Sequence, residues 1–202
     1  ALPSAPEQPK QLAPAPEHTA QAEQDKDPWG EFFDAMLSND QAVLTSAYEN
    51  VQAKETDEED RLRAEVFYRG VRFTNAGDAT GVTRIEEIAA SHPAIRPWAL
   101  GWLGQVYSSV GAIEKSKDAY KRAMDVTEDA DRRAKFSISL AAIHRKSGDL
   151  AGSEALLMTS MSWTLQDVTR SNVLSALAQT FKERGDKVLQ AVALEKAMEL
   201  AP

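Results

Sequence analysis

LGWLGQVYSSVGAIEKSKDAYKRA, residues 100–123, reads as two amphipathic helices joined by a glycine turn. Leu100, Leu103, Val106 and Tyr107 recur at spacings of three and four, the period that puts apolar side chains on one face of a helix. The pattern stops at Ser108-Ser109-Val110-Gly111 and resumes through Ala119, Tyr120 and Ala123. Gly111 falls at the joint because glycine enters the left-handed backbone region that closes a helix without a side-chain penalty. Working outward, the same punctuation appears at Gly77 (NAGDAT), Gly148 (KSGDLA) and Gly185 (ERGDKV), at intervals of 34, 37 and 37 residues. A fixed period of this length marks a helical repeat, and no alternating strand pattern competes with it.

The quoted stretch closely resembles a tetratricopeptide (TPR) repeat, with Leu103-Gly104, Tyr107, Gly111, Tyr120 and Ala123 at that family's large, small, aromatic, turn, aromatic and small places. Leu177-Ala178, Phe181, Gly185, Leu194 and Ala197 repeat the pattern, and LEKAMELAP through Pro202 is similar to the family's usual close. Around Gly148 the unit carries Leu140-Ala141, Leu157 and Ser160 but puts His144 where an aromatic ring is expected. Around Gly77 it carries Gly70, Phe73 and Ala89 but has Arg69 and Glu86 at apolar places. The spacing of 37 predicts about three extra residues in the joints near Thr127–Asp131 and Ser162–Asp167. The resemblance covers about residues 63–202. It implies an all-α fold, a right-handed superhelix of about five antiparallel helical hairpins, predicted near 28–54, 60–92, 97–127, 132–162 and 168–202. The first hairpin rests on pattern alone: Asp27 and Pro28 open it, Trp29, Phe32, Phe33, Met36 and Leu37 share a face, and Val43, Leu44, Ala47, Tyr48 and Val51 carry its second helix.

Residues 1–27 are Pro-, Ala- and Gln-rich, hold five of the nine prolines and almost no large apolar side chain. They read as a disordered tether. A leader of this kind fits a periplasmic or membrane-tethered extracytoplasmic setting, with the cytoplasm as the alternative. Because an uncapped repeat array ends on an apolar face, the C-terminal helix predicts a cover: more protein beyond Pro202, or a second copy.

The chain has 202 residues, 43% of them hydrophobic, a formal charge of −8 and no cysteine. Disulfides and thiolate metal sites are therefore excluded, and the basic residues are dispersed among acids, which disfavours a nucleic-acid or anionic-membrane partner. No apolar run is long enough to cross a bilayer. The acidic run Glu55–Asp60 lacks the glycine and ligand spacing of a calcium loop and reads as a solvated helix start. His18, His92 and His144 lack metal-ligand spacing, and Gly77–Gly81 (GDATG) lacks the Lys-Ser/Thr of a phosphate loop. The expectation is a protein without catalytic residues, metal or cofactor.

Recognition is then the expected task. In the family the chain resembles, the first helix of each pair lines a concave groove. The resemblance assigns to that groove Phe67, Val71 and Thr74; Trp98, Gly101, Gln105 and Ser108; Lys135, Ile138, Ala142 and Arg145; and Asn172, Ser175, Gln179 and Lys182. Trp98 is the foremost anchor, with Trp102 either joining it or packing between helix pairs. Lys135, Arg145 and Lys182 would attract an acidic peptide. The carboxylate clamp of some family members is missing, since Gln105 and Ser108 stand where it calls for other residues. These residues predict a scaffold for a protein or peptide partner, placed in a bacterial envelope, secretion or motility assembly. The alternatives are a regulatory or sensory domain of a larger protein and a self-association module acting through the C-terminal helix.

Overall fold

The computed structural model describes residues 27–200 apart from Asn39; the tether expected at 1–27 lies, but for Asp27, outside the described residues. Ten helices follow one another in five antiparallel pairs: α1 (Pro28–Ser38) with α2 (Gln41–Lys54), α3 (Glu58–Ala76) with α4 (Ala79–Ser91), α5 (Arg96–Ser109) with α6 (Ile113–Asp125), α7 (Ala130–Lys146) with α8 (Leu150–Met161), and α9 (Asp167–Arg184) with α10 (Lys187–Leu200). No strand occurs among the described residues. Each pair packs mainly on the next, and odd-numbered helices also meet one another (α3 with α5, α7 with α9), which makes the molecule an all-α solenoid.

Local chemistry explains the helix ends. Gly77 and Gly185 close α3 and α9 at φ 70° and 84°, where an L side chain is strained, and their amides return to the carbonyls of Phe73 and Phe181. The aspartate after the glycine then opens the next helix. Asp78 accepts from the Thr80 amide, Asp149 from Gly152 and Asp186 from Leu189. The acidic run is likewise a helix start: the Asp57 carboxylate accepts from the Asp60 amide, and Glu58, Glu59 and Asp60 occupy the first turn of α3.

Of the extra residues in the 37-residue intervals, only one lengthens a joint, that between α8 and α9 (162–166), and the rest enter helices. The joint between α4 and α5 and the one between α6 and α7 have the same length, whereas α5 has 14 residues and α7 has 17. In α9, of 18 residues, the first helix is again the longer element. α5 begins at Arg96 with Pro97 in its first turn, and Ile95 before it supplies no side-chain cap. In α7 no proline intervenes, Asp129 caps the Arg132 amide, and Arg133 donates to the Thr127 carbonyl, so the helix starts a turn earlier.

The core is continuous along the stack. Val66, Ile85, Ile88, Ile95, Leu100 and Leu103 are buried around α3–α5, and Leu157, Leu165, Val173, Leu177 and Phe181 around α7–α9. A fully buried side chain of this size contributes roughly 1.5–3 kcal/mol. The small places let helices approach: a Cβ on Gly104 would stand 2.8 Å from the Tyr120 ring. Where serine fills such a place its hydroxyl is satisfied, Ser160 by Ser137 at 2.6 Å and Ser153 by Thr180 at 2.9 Å. His144, which replaces the expected aromatic ring, meets Asp149 through Nδ1 at 2.7 Å, tying the end of α7 to the start of α8. Glu86 at its apolar place reaches out to Arg122 of the next pair at 2.7 Å, an inter-pair ion pair.

The ends of the stack are apolar and open. Leu37 and Val43 are exposed at one end, and Val188 (74%), Leu194 and Met198 (76%) at the other.

Candidate peptide groove

The first helices of the pairs line two adjoining hollows. One, of about 260 Å³, is bounded by Trp98, Gly101, Trp102 and Gln105 of α5, Tyr120 of α6, and Lys135, Phe136 and Ser139 of α7. The other, of about 220 Å³, is bounded by Met36 of α1, Val71, Thr74 and Asn75 of α3, and Trp102, Gln105, Val106 and Ser109 of α5. Trp102 and Gln105 form the wall they share.

A chain of edge-to-face rings holds this wall in place. Phe33 meets Phe67 at 5.8 Å, and Phe67 meets Trp98 at 4.9 Å and Trp102 at 4.6 Å, with interplanar angles of 75–81°. This geometry sets the positive ring edge against the negative ring face. Trp102 owes its position to Gly70: a Cβ there would lie 2.2 Å from the indole Nε1, so only glycine leaves the notch. The Nε1–H is buried in that notch without an acceptor. Gly101, assigned to the groove, opens it by absence, since a Cβ would stand 2.3 Å from Phe136. The Tyr120 hydroxyl donates to Gln105 Oε1 at 3.3 Å, and burial pushes the phenol above its ordinary range, so it stays a neutral donor at physiological pH.

The structure thus brings Val71, Trp98, Gln105 and Lys135 together around the two hollows, while Phe67 lines neither and packs against Trp98 and Trp102. Thr74 lines the second hollow, and its hydroxyl lies 3.3 Å from that of Ser109. Ser108 is half-buried on α5 and lines neither hollow. Ile138 is partly buried against the core around α7–α9, and Ala142 is half-buried on α7. Arg145 is not a free cation: only 15% of its side chain is exposed, and its Nε lies 3.3 Å from Glu183 of the next pair. Asn172, Ser175, Gln179 and Lys182 are exposed on α9, away from both hollows, and Gln179 Nε2 donates to the same Glu183. The missed lining residues are Phe136, Tyr120, Ser139, Met36, Asn75, Val106 and Ser109. Tyr120 was legible as a packing residue; Phe136 and Met36 carried no signal separating groove from core.

Larger hollows lie elsewhere, one of about 660 Å³ between α1 and α2 and one of about 330 Å³ among α4, α5 and α6. The first is lined by Glu31 and Asp34 and by no aromatic ring. No group of three or more potential metal ligands occurs among the described residues, and no described helix is long and apolar enough to cross a membrane.

No family model and no curated protein sequence matches the chain. Solved structures do. A protein of Podosopora anserina described as putative kinesin light chain nearly identical TPR-like repeats aligns at 16% identity with a TM-score of 0.58, covering 85% of this chain and 93% of its own. A single-substitution variant of that protein aligns at 17% identity with a TM-score of 0.59, covering 87% and 96%. The chain therefore has a TPR-like solenoid fold.

Proposed function

We propose that this chain is a non-enzymatic protein-interaction scaffold that holds an extended or helical segment of another protein against the first-helix groove. The observation that carries this reading is the pair of hollows sharing the Trp102–Gln105 wall, one of them also bounded by Trp98, and neither with an acidic lining residue. A large, rigid, half-buried aromatic yields contact area at low entropic cost, which is the chemistry of an interface anchor. The leader 1–27 suits a tethered placement in an envelope, secretion or motility assembly. Affinity capture from native extract with the full chain, wild type beside Trp98→Ala and Lys135→Glu, tests it. A partner retained by wild type and lost by both variants supports the groove; a partner held equally by all three moves the site elsewhere.

A second reading is favoured by the open face of α10. Val188, Val192, Leu194 and Met198 are all exposed on one helix, an apolar surface that self-association would cover. Sedimentation that stays monomeric up to high protein concentration, with Met198→Glu indistinguishable from wild type, would remove it.

A further inference from the structure

We propose that the two ends of the stack are complementary, and that copies of this chain join head to tail, the α1–α2 face of one seated on the α10 face of another. The inference rests on the self-association reading given above for α10 and names the surface that meets it.

The second helices repeat one docking face at intervals of 37 residues. In α6, Ile113, Tyr120 and Met124 pack with Leu140 and Ile143 of the first helix that follows, α7. In α8 the corresponding Leu157 and Met161 join a core shared with Val173 and Leu177 of α9. In α10 the same three places hold Lys187, Leu194 and Met198, and all three are exposed. The tail of the stack thus presents the face that receives a first helix. One residue departs from the pattern: Lys187 stands where α6 has Ile113 and α8 has Leu150.

The head carries the matching departure. Ile143 and Leu140 lie six and nine residues before Asp149, the cap of α8, and Asp34 and Glu31 lie six and nine before Asp40, the cap of α2. The two places through which α7 meets the preceding pair are therefore carboxylates on α1. Inside the stack this junction is apolar on both sides; at the two ends one side is a lysine and the other a pair of acids. Glu31 accepts from the Asn50 amide at 2.9 Å, and neither it, Asp34 nor Lys187 forms an ion pair among the described residues. Joined, each charge enters the junction with a partner, which spares the cost of covering it alone.

Shape agrees with charge. The hollow of about 660 Å³ between α1 and α2 has Glu31 and Asp34 on its wall, Val43 at its edge and the buried Ala35 and Ala47 below, and no residue of another pair borders it. The small floor leaves room for the Leu194 and Met198 side chains, and an unbranched thioether fills irregular space readily. Because head and tail lie at opposite ends of the stack, their contact is heterologous. Every joined pair leaves one head and one tail free, so the assembly extends as a chain. Each added copy brings its own groove, and a partner with several docking segments would be held with raised avidity.

Sedimentation velocity of the full chain tests this. Wild type should lengthen progressively as its concentration rises over about a hundredfold range. Met198→Glu blocks the tail and Val43→Glu blocks the head, so each alone should stay monomeric. Their equimolar mixture should give a dimer and nothing longer, since one intact head and one intact tail remain to meet. Asp34→Lys should weaken association about tenfold or more, and adding Lys187→Glu to the same chain should restore it. Association indifferent to Asp34→Lys, or a mixture that stays monomeric while wild type associates, overturns the proposal. If Val43→Glu associates as wild type does and Met198→Glu does not, α10 meets its own copy: self-association stands and the head is the wrong seat. Wild type that is monomeric throughout removes both.

Discussion

The third pair (α5–α6) and the fifth (α9–α10) are written to one pattern yet present different surfaces. Leu103 matches Leu177, Gly104 matches Ala178, Tyr107 matches Phe181, and Gly111 and Gly185 both have positive φ. Both first helices bury their large residue, Leu103 at 0% and Leu177 at 3% exposure. The second helices differ: Tyr120 is 4% exposed and Leu194 42%. The pattern sets which way a side chain points, and a neighbouring pair supplies the burial. The outward faces of the first helices differ too. Trp98, Trp102 and Gln105 on α5 correspond in position to Asn172, Ala176 and Gln179 on α9. Corresponding positions thus carry an aromatic wall on α5 and, on α9, exposed Asn172 and Gln179 beside a buried Ala176.

The largest expected effect separates the two second helices. Tyr120→Ala should lower the unfolding free energy by about 3 kcal/mol, while Leu194→Ala should cost less than about 1 kcal/mol, both read from urea midpoints. Equal losses would show that α10 is covered in solution. Next come the first helices. Trp98→Ala should weaken binding of the captured partner segment by about tenfold or more and Asn172→Ala by less than about twofold, as read by titration calorimetry. Similar losses would extend the interface to α9.

Two smaller effects probe what the pairs share. Gly111→Ala and Gly185→Ala, at φ 75° and 84° with open space around the added methyl, should each cost about 1 kcal/mol in thermal unfolding. A large inequality would mean that one turn relaxes. The smallest effect is a gain. Ala112 begins α6 at φ −80° and ψ 65° without a side-chain cap, near the −86° and 71° of Asp149, which caps α8. Ala112→Asp should add about 0.5–1 kcal/mol, seen as a raised melting temperature. No gain would mean that the α6 amides are already satisfied.

Much of this fold was legible because helical pairs repeat a short local code. Glycine closes a helix through its own backbone freedom, and the following aspartate caps the next helix through its own carboxylate, so both signals are local. Three features were not. The extra residues of the longer intervals mostly entered α7, which opens on the Asp129 cap, and α9, which opens without a side-chain cap, so no single local signal marked the lengthening. Position alone assigns Arg145 to the groove, but Glu183 on the next pair neutralises it at 3.3 Å. Pattern alone leaves Trp102 between packing and groove, and the structure places it at both: its Nε1 edge fills the notch over Gly70 while the indole lines both hollows.

The helical pairs, their period and the face each buries are written in the residues themselves, since these follow from periodicity and backbone preference over a few neighbouring residues. Which rings line a hollow and which enter the core, and which charges are paired, is settled by packing between pairs. Those outcomes depend on contacts between residues 30 or more positions apart, as Trp102 with Gly70 and Arg145 with Glu183, and no local pattern encodes the distance between two such side chains.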